Sequence, residues 1–167
     1  MSARPKIKVP LTPTDKVFET IGWFTVAALW FLILWKYSSL PETIPTHFNG
    51  AGRPDGYGGK GTLLMLPVIG TVLFVSMTIL NRFPQIFNYP TNITVENAAR
   101  QYANATRMMR FLKFAIVLVF SIIVFQTIRT VEGKSKGLGG WFLPVVLGLV
   151  LIPTVFFIIN SFRKEKV

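Results

Sequence analysis

The stretch Thr20-Ile21-Gly22-Trp23-Phe24-Thr25-Val26-Ala27-Ala28-Leu29-Trp30-Phe31-Leu32-Ile33-Leu34-Trp35 carries no charge over sixteen residues, and its reading decides the fold. A helix that crosses a bilayer needs about 20 mostly apolar residues, because the hydrocarbon core is about 30 Å thick. With its flanks the stretch predicts a spanning helix over residues 17–37. Thr12-Pro13-Thr14-Asp15 reads as the start signal, with Thr12 as N-cap, Pro13 at the first helical position and Asp15 at the capping-box position. The apolar run is longer than that of a secretory leader, and no small-x-small cleavage site follows it, so the expectation is an uncleaved anchor.

The same pattern recurs three times. Residues 61–80 and 140–162 are free of charge, and residues 108–128 carry only Arg110 and Lys113, near one end. The chain is 51% hydrophobic and only 15% charged, where a soluble domain runs about 25% charged. Its net charge of +11 would suggest nucleic acid in a soluble protein. Here the cations flank apolar spans instead of lining one polar face, which points to anionic headgroups and away from nucleic acid. With no cysteine, disulfides, thiol catalysis and thiolate metal sites are excluded.

Counting cations orients the spans. Arg4, Lys6, Lys8, Lys16, Arg82, Arg100, Arg107, Arg110, Lys113, Arg163, Lys164 and Lys166 fall on one side, twelve of the eighteen. The positive-inside rule makes that side cytoplasmic, with both termini inside. Trp35, Tyr37 and Trp141 then meet at the outer interface, where aromatic belts sit. The expected class is an all-α membrane protein: four transmembrane helices, a compact outer loop and an interfacial cytoplasmic helix. Its units are a basic arm at 1–16, a two-helix unit at 17–113, and a C-terminal helical pair with a basic tail at 114–167. Pro67 and Pro144 lie near span starts, where a missing N–H is tolerated, and Pro153 should kink the last span. The strings at 66–70 and 143–146 look alike; proline-bearing spans in matching halves can mark a transporter, though apolar helices often share such strings.

The outer connection has the most specific chemistry. Pro41 and Pro45 bias their predecessors toward extended backbone, and Asn49-Gly50 and Pro54-Asp55-Gly56 are turn signals. They predict a hairpin-like loop presenting His47, Asn49, Arg53, Asp55 and Lys60 as candidate binding residues. His47 is the only histidine. With Asp55 and Glu42 it is conceivable as a metal ligand or a carboxylate-oriented base. A zinc site wants three or four ligands, and no nucleophile elbow, HExxH pair or phosphate-binding glycine loop occurs. A pinning or recognition role for His47 is therefore the preferred reading. No metal, cofactor or catalytic residue is expected.

The inner connection contains Phe87-Asn88-Tyr89-Pro90, then a helical stretch begun by Thr94 as N-cap. Val95, Ala98, Tyr102, Ala105, Met109 and Leu112 recur at spacings of three and four, giving one apolar face. Glu96, Arg100, Arg107 and Arg110 fall on another, with Glu96 and Arg100 spaced for an i, i+4 pair. The expectation is a helix along the inner interface that turns or continues into the third span. Glu19 and Lys113 are read as snorkelling to that interface. Tyr89, Glu96, Asn97, Gln101 and Arg107 are the candidate cytoplasmic interface. The Asn92-Ile93-Thr94 sequon would stay unmodified on this side.

With these residues in place, Leu-Pro-x-x-Ile-Pro-x-His-Phe-Asn-x-x-Gly-x-Pro-Asp-Gly-Tyr at 40–57 resembles the signature of a bacterial membrane family of unknown function. That family also supplies the N-terminal part of Sdp-type (SdpI-like) immunity proteins, which protect cells from a secreted killing peptide. Phe-Asn-Tyr-Pro at 87–90 and Glu-Asn-Ala-x-x-Gln-Tyr at 96–102 resemble the second block of its stand-alone members. The chain lacks the Asn-x-x-Ile-Gly-x-Arg-Thr segment of full immunity proteins. What the resemblance implies is thus narrow: a protein of the bacterial cytoplasmic membrane whose His47–Asp55 loop is a recognition element. The expected function is non-enzymatic recognition of a peptide, lipid or membrane-protein partner, with the bilayer as a further partner. A small transporter or transporter subunit is the alternative, and an outer-face metal-dependent enzyme ranks third.

Overall fold

The computed structural model describes residues 4–163; Lys164 and Lys166 of the basic tail lie outside the described residues. Among the described residues, four helices are long and apolar enough to cross a membrane. They are α1 (Pro13–Tyr37), α2 (Met65–Leu80, entered through a 3-10 turn at Lys60–Leu64), α3 (Ala98–Val131) and α4 (Phe142–Phe162). A two-stranded antiparallel hairpin, β1 (Thr43–Phe48) and β2 (Pro54–Gly59), joins α1 to α2. The chain is therefore mostly helical, not purely α. Lys60 and the hairpin share one end of the bundle with the α3–α4 turn. The N-terminal segment, the α2–α3 connection and the end of α4 share the other, called the basic end below.

α1 begins as its sequence signal requires. Thr12 Oγ1 accepts from the Asp15 N–H at 3.2 Å, while Asp15 Oδ2 accepts from the Thr12 N–H at 2.9 Å. Its buried residues Gly22, Val26, Leu29 and Ile33 recur every three or four positions, a single stripe facing the bundle. They meet Phe74 of α2 and Val117, Val124 and Ile128 of α3 in one core. Gly22 lets α2 approach: a Cβ there would lie 2.6 Å from Cε2 of Phe74, itself boxed by the Trp23 ring with centroids 4.9 Å apart. The Trp30 indole N–H donates to Thr71 Oγ1 at 2.9 Å, giving α1 and α2 a polar fastening inside an apolar interface.

At the inner connection one of the two expected alternatives holds and one expectation changes. Of turning or continuing into the third span, the stretch after Thr94 continues. It forms one turn, in which Thr94 and Asn97 exchange side-chain and backbone hydrogen bonds, and then runs into α3 without a break. Neither Gly nor Pro occurs between Ala98 and Val131, so nothing stops the helix. At 34 residues it is about 51 Å long at 1.5 Å per residue. Its first third is not a surface element, because Ala98, Gln101, Tyr102, Thr106 and Arg110 are buried. α4 differs from the others. It packs against α3 and leaves Leu151, Ile152, Val155, Phe156 and Ile159 more than half exposed, the surface of a helix that faces hydrocarbon.

Candidate functional sites at the two ends of the bundle

The hairpin is held from three directions. At its tip, Asn49 Oδ1 accepts from the backbone N–H groups of Ala51 (3.0 Å) and Arg53 (3.1 Å). Gly52 has a φ of +74°, which favours glycine, and its carbonyl accepts from the Leu138 N–H at 2.7 Å. The hairpin thereby docks backbone to backbone on the α3–α4 turn. At its base, the Lys60 ammonium donates to the Leu40 carbonyl (3.3 Å), pairs with Glu42 (3.0 Å) and lies 5.4 Å from the centre of the Tyr37 ring. Between tip and base, Gly56 and Gly58 allow close strand packing: a Cβ at Gly56 would meet His47 Cβ at 2.9 Å.

This scaffold presents few groups. His47 Nδ1 and Asp55 Oδ1 are 2.5 Å apart, and the His47 side chain is 73% exposed. Tyr57 projects on the same strand as Asp55, two residues on, and is 65% exposed. Arg53 is exposed. Lys60, by contrast, is spent on the base of the hairpin, and the Asn49 carboxamide oxygen on its turn. Beside this face, Glu132 bridges Lys36 at the end of α1 and Lys134 of the α3–α4 turn, both at 2.7 Å. The hydrogen bonds from Lys134 and Lys36 hold its carboxyl down at about 2.

The basic end contains a set of ions that the sequence reading did not assemble. Asp15 and Glu19 sit one turn apart on α1; Arg107, Arg110 and Lys113 sit at spacings of three on α3. Lys113 is fully buried and donates to Glu19 Oε2 and Thr78 Oγ1, both at 2.6 Å, with the Phe74 ring centre 4.4 Å away. Its ammonium thus turns inward to a carboxylate and does not snorkel. Arg110 Nε lies 3.2 Å from Glu19 and its terminal nitrogen 3.4 Å from Asp15; Arg107 Nε is 3.7 Å from Asp15. Members of the set line two cavities. One, of about 660 Å³, is lined by Asp15, Phe18, Arg107, Phe111 and Phe156 among others; the other, of about 570 Å³, by Lys8, Glu19, Thr78, Arg82 and Arg110 among others.

The remaining candidate residues of this end serve separate purposes. Tyr89 donates to the Pro84 carbonyl at 2.8 Å and packs on Tyr102, centroids 5.6 Å apart, with the Arg4 guanidinium 5.5 Å from its ring centre. Burial and the neighbouring Tyr102 push the Tyr89 phenol up. Arg4 also donates to the carbonyls of Gln85 and Phe87, so the N-terminal segment is laced to the α2–α3 connection. Asn97 ties its own turn, donating to the Asn92 carbonyl at 2.9 Å. Glu96 is exposed, its carboxyl held below the ordinary range by the Thr94 hydroxyl. Arg100 donates to the Asn160 carbonyl (3.1 Å) and Gln101 to the Ser161 carbonyl (2.7 Å). Those bonds cap the C-terminus of α4, whose last carbonyls have no partner within the helix. Only Arg107 of the five joins the ion set.

Residues 24–71 match the family described as domain of unknown function DUF1648, which covers the second half of α1, the whole hairpin and the start of α2. A protein of Archaeoglobus fulgidus described as uncharacterized is 34% identical over 123 residues, covering 69% of this chain. The chain spans 66% of that relative's length. No solved structure matches.

Proposed function

We propose that this chain is a non-enzymatic, multi-pass protein of the cytoplasmic membrane, with both ends inside. On this reading it recognises a peptide, lipid or membrane-protein partner through its hairpin. The observation that carries it is the His47–Asp55 pair. An imidazole that is largely exposed, yet oriented by a carboxylate on a hairpin pinned at tip and base, has lost most of its conformational freedom before any partner arrives. Such preorganisation lowers the entropic cost of binding. The family match over the same residues supports placing a shared role there, and the Sdp-type resemblance supports a secreted peptide as one class of partner.

The test is a photo-crosslinking residue at Tyr57 in the native host. A discrete adduct that disappears in His47→Ala is expected. Absence of any adduct, or an adduct that persists in His47→Ala and also forms from lipid-facing Phe31, would remove the reading.

A second reading, a small transporter or transporter subunit, draws on a different observation. Ionisable residues beside or within spanning helices are often functional, and here they line two cavities at the basic end. Flux across proteoliposomes that is abolished by Glu19→Gln would favour it over the hairpin reading.

A further inference from the structure

At the basic end, α3 and α4 enclose a trough whose upper and lower halves differ in chemistry. On α3, Arg100, Asn104, Arg107 and Phe111 follow one another at spacings of three and four, hence on one face. On α4, Ile152, Phe156 and Asn160 do the same, and Arg163 follows as the residue just past the helix end. The upper half, about 310 Å³, is lined by Arg100, Ala103, Asn104, Arg107, Asn160 and Arg163, three guanidiniums with no acid among them. The lower half is the cavity of about 660 Å³, where Phe18, Phe111, Ile152, Pro153, Phe156 and Phe157 predominate. Arg107 lines both halves. Ile152 is 71% and Phe156 56% exposed, so the trough opens sideways, toward the hydrocarbon that α4 faces.

We propose that this trough binds one anionic phospholipid, its phosphate against Arg107 and Arg163 and an acyl chain along Phe111, Ile152 and Phe156. Guanidinium forks match phosphate oxygens, and basic pockets between spanning helices are a known setting for lipid headgroups. The floor is already built: Asn104 donates to the Phe157 carbonyl at 2.7 Å and to Ser161 Oγ at 3.0 Å, and Arg100 to the Asn160 carbonyl. The C-terminus of α4 opposes an anion with about half a negative charge, and Asp15, in the lining of the lower half and 3.7 Å from Arg107, adds one more; the three guanidiniums outweigh both. A free phosphate would use only the upper half. A diacyl lipid uses both, and its tails are already in the phase onto which the trough opens. The proposal stands apart from the hairpin reading and needs only that the four helices lie in a membrane.

The test is native mass spectrometry of the full chain in detergent, with phosphatidylglycerol and phosphatidylcholine added in equal amounts. One phosphatidylglycerol is retained in preference. Arg163→Gln weakens retention about fivefold, and addition of Arg107→Gln about 25-fold in all, at the strength expected per cation near an anionic headgroup. Lys8→Gln, outside the trough, leaves retention unchanged. Ile152→Trp, which fills the lower half without altering charge, also lowers it. Arg163 is exposed, so its variant keeps the fold, checked by gel filtration. Three results overturn the proposal. Equal losses in Lys8→Gln and Arg163→Gln would mean diffuse attraction. Displacement by inorganic phosphate together with an indifferent Ile152→Trp would mean a soluble anion. A lipid-free dimer would mean that a second copy covers the trough.

Discussion

Lys113 shows how one side chain alters the account of its surroundings. A lone cation at the end of an apolar span is ordinarily stretched toward headgroups. This one is fully buried, between Glu19, Thr78 and the face of Phe74. Removing one partner of such a pair strands the other charge, at a cost of about 3–5 kcal/mol. The two partners are unequal, because the Glu19 side chain is 22% exposed and that of Lys113 is not exposed at all. Glu19→Gln, which leaves the ammonium enclosed, is therefore expected to lower the melting temperature in detergent more than Lys113→Met. The double variant should recover part of the loss. A double variant as unstable as the sum of the singles would show that the two groups do not interact.

Between elements, the hairpin end is closed by charge as well as by backbone. Glu132 joins the end of α1 to the α3–α4 turn through Lys36 and Lys134. Its pKa falls from an ordinary 4.5 to about 2, so the folded state favours the carboxylate. The resulting stability is complete above pH 4.5 and is lost as the pH falls toward about 2. The melting-temperature gap between the native chain and Glu132→Gln should stay constant above pH 4.5, shrink below it, and narrow in high salt. A gap independent of pH would assign Glu132 another role. This clamp was not legible in the sequence, because Lys36 and Glu132 lie in distant segments and only the packing of α1 on α3 brings them together. The four spans, the Thr12–Asp15 cap and the hairpin were legible, since each depends on local periodicity, capping or turn chemistry. The ion set left a faint trace, acids at 15 and 19 against bases at 107, 110 and 113. Helical spacing puts each group on one face, but says nothing about the two faces meeting. The same limit left open whether the stretch turns or continues into α3, and it misplaced the apolar face from Ala98 onward: that face was read as lying along the interface, whereas Ala98 and Tyr102 are buried in the protein.

Across the whole molecule, the two ends are chemically distinct. One holds an exposed histidine and aromatic residues on a fastened hairpin, the other the ion set and the arginine-lined trough. The arrangement predicts opposite exposure to solvent across a membrane. With no cysteine in the chain, Tyr57→Cys and Lys8→Cys give a clean reading with a membrane-impermeant maleimide on intact cells. Tyr57→Cys should label at once and Lys8→Cys only after permeabilisation. The reverse pattern would invert the orientation, and with it the proposal that the hairpin meets an external partner.

α3 touches every other helix and also β1, and over its length it has no proline or glycine at which to bend. α4 carries Pro153 in its interior, and α2 starts with a 3-10 turn. Such a helix would act as a stiff rod, held where Val117 and Val124 lie buried in the core. A push at the hairpin end would become a tilt of the whole rod, and the arginines near its far end would swing in the opposite sense. The two ends of the bundle would then move together, with no hinge opening between them.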